Sequence, residues 1–256
     1  MIRIVVLGTG NVATHLLKAF ITSSNVEVVQ LYNRNQKGLD ETDFNGPKTT
    51  DTSKLLEADC YIIAISDDAI AKLSSLLTFK NRLVLHTSGS VSLQELDQKN
   101  RRGVFYPLQT FSKKRNLNFN EIPICIETEN DQDLHLVKSL GLAISNQLFE
   151  INSEKRKQLH LAAVFVCNFV NHLYQVGFEI TSKNELPFSI LIPLIQETAH
   201  KIKEAPPAEM QTGPAKRNDQ KTMVKHLNLL SEEPDQKKLY KLISEAIQQT
   251  HGGKKL

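Results

Sequence analysis

The chain has no tryptophan and, in 256 residues, only three methionines and three cysteines. Cys60, Cys125 and Cys167 stand far apart in apolar stretches, with no Cys-x-x-Cys pair and no Cys/His ligand spacing. That excludes a zinc ribbon or finger, and a chain this long buries a core without disulfide staples. The three read as small buried side chains in a reducing compartment, and no metal is expected. Blocks of one charge sign are also missing. Lys and Arg number 31 against 28 Asp and Glu, and short clusters such as Lys113-Lys114-Arg115 suit a solvated turn better than a nucleic-acid patch. The most apolar stretch, residues 159–178, carries His160, Asn168, Asn171 and His172, which are costly in hydrocarbon. It predicts a helix buried between protein surfaces, in a cytoplasmic chain without membrane or nucleic-acid partners. The apolar start is interrupted at Gly8-Thr9-Gly10-Asn11, too early for a secretion-signal core, and reads as a first strand.

What is present is an alternation. Short runs rich in Ile and Val at 2–7, 26–32, 60–65 and 82–86 are separated by segments of helical spacing such as 12–23 and 70–77. This predicts an α/β fold with a parallel, doubly wound Rossmann sheet. A weak strand at 47–50, further strands at 104–106, 122–127 and 143–150, and a helix at 131–140 extend it. From Asn152 onward strand signals stop, and Pro187, Pro193, Pro206, Pro207 and Pro214 punctuate helical segments. The expected division is residues 1–150 as a nucleotide-binding domain and 151–256 as an all-helical domain.

Gly8-Thr9-Gly10-Asn11-Val12-Ala13 reads G-x-G-x-x-A between a predicted strand and a predicted helix. The first glycine allows the tight turn, the second lets backbone approach a pyrophosphate, and the small third residue allows close packing of helix on strand. Unpaired N–H groups at the helix start then face the phosphates. An NAD site wants an acid about 20 residues further on. Here the second strand ends Tyr32-Asn33-Arg34-Asn35. Asn33 can bond the ribose and Arg34 a 2′-phosphate, which selects NADP unless Arg34 merely faces solvent. Two more strand ends fall on the same edge. Ser66 and Asp67 either line the cofactor or begin the next helix, and Ser88, Gly89 and Ser90 either contact the nicotinamide or cap a turn.

Reduction of a small substrate also needs a polarising donor and a proton source. On an ideal helix His160, Val164, Cys167 and Asn171 share a face, with Asn168 near it. His160 is a candidate proton donor, or a structural histidine, with Asn168 or Asn171 orienting substrate. Thr212-Gly213-Pro214-Ala215-Lys216-Arg217-Asn218-Asp219 is a second polar group. Arg217 can clamp an anion and Asp219 can orient it, or Asn218 and Asp219 cap the following helix. Tyr106, in a segment that follows a strand and can wall the cleft, either offers its acidic hydroxyl or, as the simpler reading, packs. The competing class is an NADP-binding regulatory protein without turnover.

Taken in order, Gly8-x-Gly10-x-x-Ala13, Asn33-Arg34, Ile63 to Asp68, His86 to Ser90, Pro107 to Phe111 and Thr212-Gly213-Pro214-x-x-Arg217-x-Asp219 carry a resemblance over nearly the whole chain. The chain resembles bacterial NADP oxidoreductases that join a Rossmann-like domain to a helical domain of unknown function. These are similar to pyrroline-5-carboxylate reductase, deazaflavin-dependent NADP reductases and the 6-phosphogluconate dehydrogenase-like group. The resemblance implies a homodimer built by the helical domain and a small carbonyl or imine substrate, including 2-keto acids such as ketopantoate. It also sets His160 and Asn168 where related dehydrogenases place a lysine and an asparagine, and Tyr106 where the family pattern has histidine.

Overall fold

The computed structural model describes residues 1–251, and the chain divides into two compact units, the first Met1–Asn168 and the second from Phe169 onward. The first unit holds β1 (Ile2–Leu7), α1 (Asn11–Ile21), β2 (Val26–Tyr32), α2 (Gln36–Asp40), β3 (Lys48–Thr49), β4 (Cys60–Ile63), α3 (Asp67–Leu76) and β5 (Leu83–His86). It continues with β6 (Arg101–Pro107), β7 (Ile124–Thr128), α4 (Asp131–Leu142), β8 (Leu148–Glu150) and α5 (Ser153–Ala163). The eight strands form one sheet in the order β3-β2-β1-β4-β5-β6-β7-β8.

Strand alternation explains why both faces are covered. Ile4, Val6, Ile62, Leu83 and Leu85 point to the face held by Leu16 and Phe20 of α1 and Val137 and Leu140 of α4. Val5, Leu7, Tyr61, Ile63 and Val84 point to the other, against Ile70 and Leu73 of α3. Successive side chains of a strand feed opposite layers, so the runs are apolar throughout. Each fully buried Ile or Leu contributes about 1.5–3 kcal/mol.

Two expectations need correcting. The pair β6–β7 is antiparallel, Gly103 facing Thr128 and Pro107 facing Ile124, while the other pairs are parallel. The joining residues 108–123 hold a single short 3-10 turn, Phe119–Glu121, and lack the crossover helix a parallel return requires. The strand expected at 143–150 shrinks to Leu148–Glu150, because α4 runs on to Leu142 and Ser145 Oγ holds a turn by donating to the Ile122 carbonyl at 2.6 Å. Helix begins at Ser153, close to the expected boundary at 151, but the compact units part at 168/169, since α5 packs on the sheet.

The second unit is helical: α6 (Val170–Lys183), α7 (Ile192–His200), α8 (Pro207–Met210), α9 (Gln220–Leu229) and α10 (Pro234–His251). Between α5 and α6, Val164–Phe169 is π-helical. By length and composition Ser153–Lys183 is apolar enough to cross a membrane, and its most apolar window holds no buried residue. The expectation of burial between protein surfaces therefore fails for this helix within the single chain. So does that of three buried cysteines: Cys60 and Cys125 are buried but Cys167 is exposed.

Candidate functional site

At the carboxyl edge of the sheet the turn after β1 has the form of a phosphate cradle. Gly8 follows β1 with φ +128°, and a Cβ there would lie 2.2 Å from the Ala64 carbonyl oxygen, so only glycine fits. Gly10 is different. It caps α1 with φ −71°, and nothing stands within 4 Å of where its Cβ would be. The fold makes no demand for glycine at 10, and the open space in front of it suits a bound pyrophosphate. Helix α1 starts with no side-chain cap and no acid in its first turn, which leaves the N–H groups after Gly10 for an anion. Ala13 is buried under the sheet. Thr9 and Val12 are half-buried beside the turn. The Asn11 amide donates to the Phe111 carbonyl at 3.0 Å and so ties down the segment after β6 rather than facing phosphate.

Beside the cradle lies a cavity of about 400 Å³ lined by Thr9, Arg34, Ile65, Lys72, Leu73 and Leu76 among others. Its apolar wall suits an adenine ring, its two cations suit a 2′-phosphate, and no acid lines it. Lys72 was not legible as a site residue, since its place on α3 depends on how that helix lies over β4. The Asn33 amide donates to Asn35, and Asn35 caps α2 by accepting from the Gly38 N–H at 3.0 Å. Asn33 thus braces the turn that presents the exposed Arg34. Ser66 occupies the cap position of α3 without a side-chain bond, and Asp67 begins the helix.

The β5 end closes the site. Asp67 accepts from Ser90 Oγ at 2.5 Å, joining the loops after β4 and β5. Ser88 is buried, and its Oγ accepts from the N–H groups of Ser90 and Val91 at 3.1 and 3.0 Å. It shapes the loop from within rather than lining an open pocket. A Cβ on Gly89 would fall 2.6 Å from His160 Nδ1 and 2.7 Å from Tyr106 Cζ. Those two side chains meet: the Tyr106 hydroxyl lies 3.1 Å from His160 Nδ1. Tyr106 therefore does more than pack, since it bonds a candidate site residue. Burial, with Cys125 adding to it, pushes its hydroxyl up to about 12, while Arg156 pulls the other way. The strand-end position on the cofactor edge was the signal that could have promoted it.

The other expected residues have local surroundings of their own. Asn168 sits exposed in the π-helical turn that starts four residues past His160. A π turn bonds i to i+5, so the 100° spacing that set Cys167 and Asn171 on the His160 face does not hold, although the Val164 N–H still bonds the His160 carbonyl. Asp219 caps α9, accepting from Thr222 N–H at 3.1 Å and Thr222 Oγ1 at 2.7 Å, and these bonds hold its carboxyl below the usual range. Arg217 is exposed in the same helical unit. Among the described residues no group of three His, Cys, Asp or Glu could hold a metal.

Residues 3–88 match the family described as NADP oxidoreductase, coenzyme F420-dependent, and residues 122–247 match the domain of unknown function DUF2520. A solved Bacteroides fragilis chain described as an NADP oxidoreductase is 39% identical over 97% of this chain and 98% of that one, with a TM-score of 0.90. A pyrroline-5-carboxylate reductase of Streptococcus pyogenes shares the fold at 15% identity, covering 98% and 97% with a TM-score of 0.65. An imine reductase of Myxococcus stipitatus, solved with NADP+, does so at 12% identity, covering 98% and 96% with a TM-score of 0.66. No curated protein matches the chain. The open cradle at Gly10, the acid-free cavity at Arg34 and Lys72, and the likeness over the full length agree: the chain belongs to the NADP oxidoreductases in which a Rossmann-like cofactor domain is followed by a DUF2520 domain.

Proposed function

We propose that this enzyme reduces a small imine or carbonyl compound with NADPH, and that the His160–Tyr106 pair manages the proton. The observation carrying the reading is that pair, at 3.1 Å, closed over Gly89 on the edge that holds the cofactor cradle. NADPH when bound supplies the hydride. Gly8, Gly10 and the first turn of α1 would hold the pyrophosphate, and Arg34 with Lys72 the 2′-phosphate. Tyr106, neutral across the physiological range, fixes the His160 ring through Nδ1 and leaves Nε2 for substrate. Asp67 and Ser88 hold Ser90 at the entrance. A C=N substrate is favoured over a 2-keto acid such as ketopantoate because pyrroline-5-carboxylate and imine reductases share this fold.

The helical unit supports a homodimer in a cytoplasmic enzyme. Ile190, Leu194 and Leu242 are 65%, 63% and 65% exposed, and apolar area of this kind marks an association surface for a second copy. The test is NADPH oxidation with 1-pyrroline-5-carboxylate and ketopantoate, with NADH as the control. Turnover of the imine, preference for NADPH and loss in His160→Gln and Tyr106→Phe are expected. NADPH binding without turnover of either compound would leave the regulatory alternative standing.

A further inference from the structure

Helix α5 is anchored to the sheet through one charged side chain. Arg156 lies one turn before His160 and is fully buried, at 0% exposure. Its Nη1 donates to Glu127 Oε2 on β7. Its Nη2 donates to the Val91 carbonyl at 2.5 Å and to Ser153 Oγ at 3.2 Å. Ser153 Oγ in turn donates to Glu127 at 2.7 Å and accepts from the Leu93 N–H at 3.0 Å. Val91 is the same residue whose N–H donates to Ser88 Oγ. Glu127 lies on the strand that pairs with β6, where Tyr106 faces Cys125. One guanidinium therefore reaches the loop around Gly89, the strand beside Tyr106 and the helix of His160.

Stability alone is a poor reason for such a group. A buried ion pair is often no better for folding than apolar side chains of equal volume. Here it also leaves Arg156 Nε without a partner, and the neighbouring His86 Nε2 likewise. We propose that Arg156, with Glu127 and Ser153, is the positioning residue of the proton-handling pair: it sets α5 against the Gly89 loop so that His160 Nδ1 meets the Tyr106 hydroxyl. A planar fork suits this task because its donors diverge at fixed angles, so three elements are located at once. The charged and titratable groups acting on Tyr106 are Cys125, Asp67 and Arg156, with His160 bonded to it. Of these Arg156 is the one that eases loss of its proton.

The catalytic arm of the test rests on the reductase reading, whereas the spectroscopic arm does not. Full-length chain labelled with 15N-histidine is compared as wild type, Tyr106→Phe, Arg156→Lys and the double variant Arg156→Met/Glu127→Gln. The double variant removes both charges and so avoids a stranded carboxylate. The His160 Nδ1 resonance, assigned with His160→Gln, should move in both Arg156 variants to the position found in Tyr106→Phe. With NADPH and 1-pyrroline-5-carboxylate, kcat should fall about tenfold or more while KM and NADPH affinity change by less than about threefold, the pattern of lost transition-state alignment. A wild-type His160 resonance in a folded Arg156 variant overturns the proposal, as does an unchanged kcat. If the wild type fails to turn over the imine, the reductase reading fails alone and the resonance still decides.

Discussion

The two compact units place their apolar residues in opposite ways. In the sheet unit Ile4, Leu7, Leu16, Phe20 and Ile62 are sealed in two layers. Among the described residues of the helical unit, Met223 and Ala215 are the buried apolar side chains, while Phe178, Ile190, Leu194 and Leu242 face outward. One unit completes its core within the chain. The other presents an apolar surface that a neighbouring molecule would cover. The contrast shows that hydrophobic periodicity does not by itself report burial within the chain.

Truncation tests the contrast most strongly. Ile62→Ala, in the middle of the sheet, should cost about 2–5 kcal/mol in denaturant unfolding, through lost transfer energy and a cavity. An Ile62→Ala cost below about 1 kcal/mol would mean that the sheet core is loosely packed. Next is pH. Burial, with Arg156 nearby, depresses His86 to about 4. Below pH ~6.5 the unfolded chain takes up a proton that the folded chain refuses, so stability should decline as pH falls from about 6.5 to 4, by roughly 3 kcal/mol in all. His86→Gln should flatten that slope in chemical denaturation at stepped pH, and an unchanged slope would assign it to other groups.

Gly10→Ala sharpens the comparison between a glycine the fold needs and one the ligand needs. Its melting temperature should stay within about 2 °C of wild type while NADPH affinity drops about tenfold, or ~1.4 kcal/mol. Calorimetry showing unimpaired NADPH binding would move the pyrophosphate elsewhere. The smallest expected change in fold energy is Leu194→Glu, within about 0.5 kcal/mol for the monomer. In sedimentation it should nevertheless shift a dimer towards single chains. A variant that stays dimeric would place the interface on other residues.

The strands of the sheet unit and its glycine turn were legible because local pattern determines them. Ile, Val and Leu runs ending in Gly8-x-Gly10 constrain burial and backbone together, and Arg34 without an acid indicated the cofactor. The direction of β7 was not legible, since it depends on what residues 108–123 fail to form. Tyr106 and Lys72 reach the candidate site through tertiary placement, and Arg156 sits between Lys155 and Lys157 with nothing local to distinguish it. The Asn168 expectation assumed regular α-helical spacing, which the π turn at Val164–Phe169 breaks. Asp219 followed the simpler of its two readings, a helix cap.

The missing methyl at Gly89 ties three positions into one evolutionary unit. Any relative that acquires a side chain there has to give up bulk at 106 or withdraw the ring at 160, because both stand less than 3 Å from the space it would occupy. A side chain at 89 should therefore be tolerated only together with a smaller residue at 106 or 160, and Gly89→Ala with Tyr106→Phe, which keeps the ring carbon in place, should remain worse than Gly89→Ala with a smaller residue at 160.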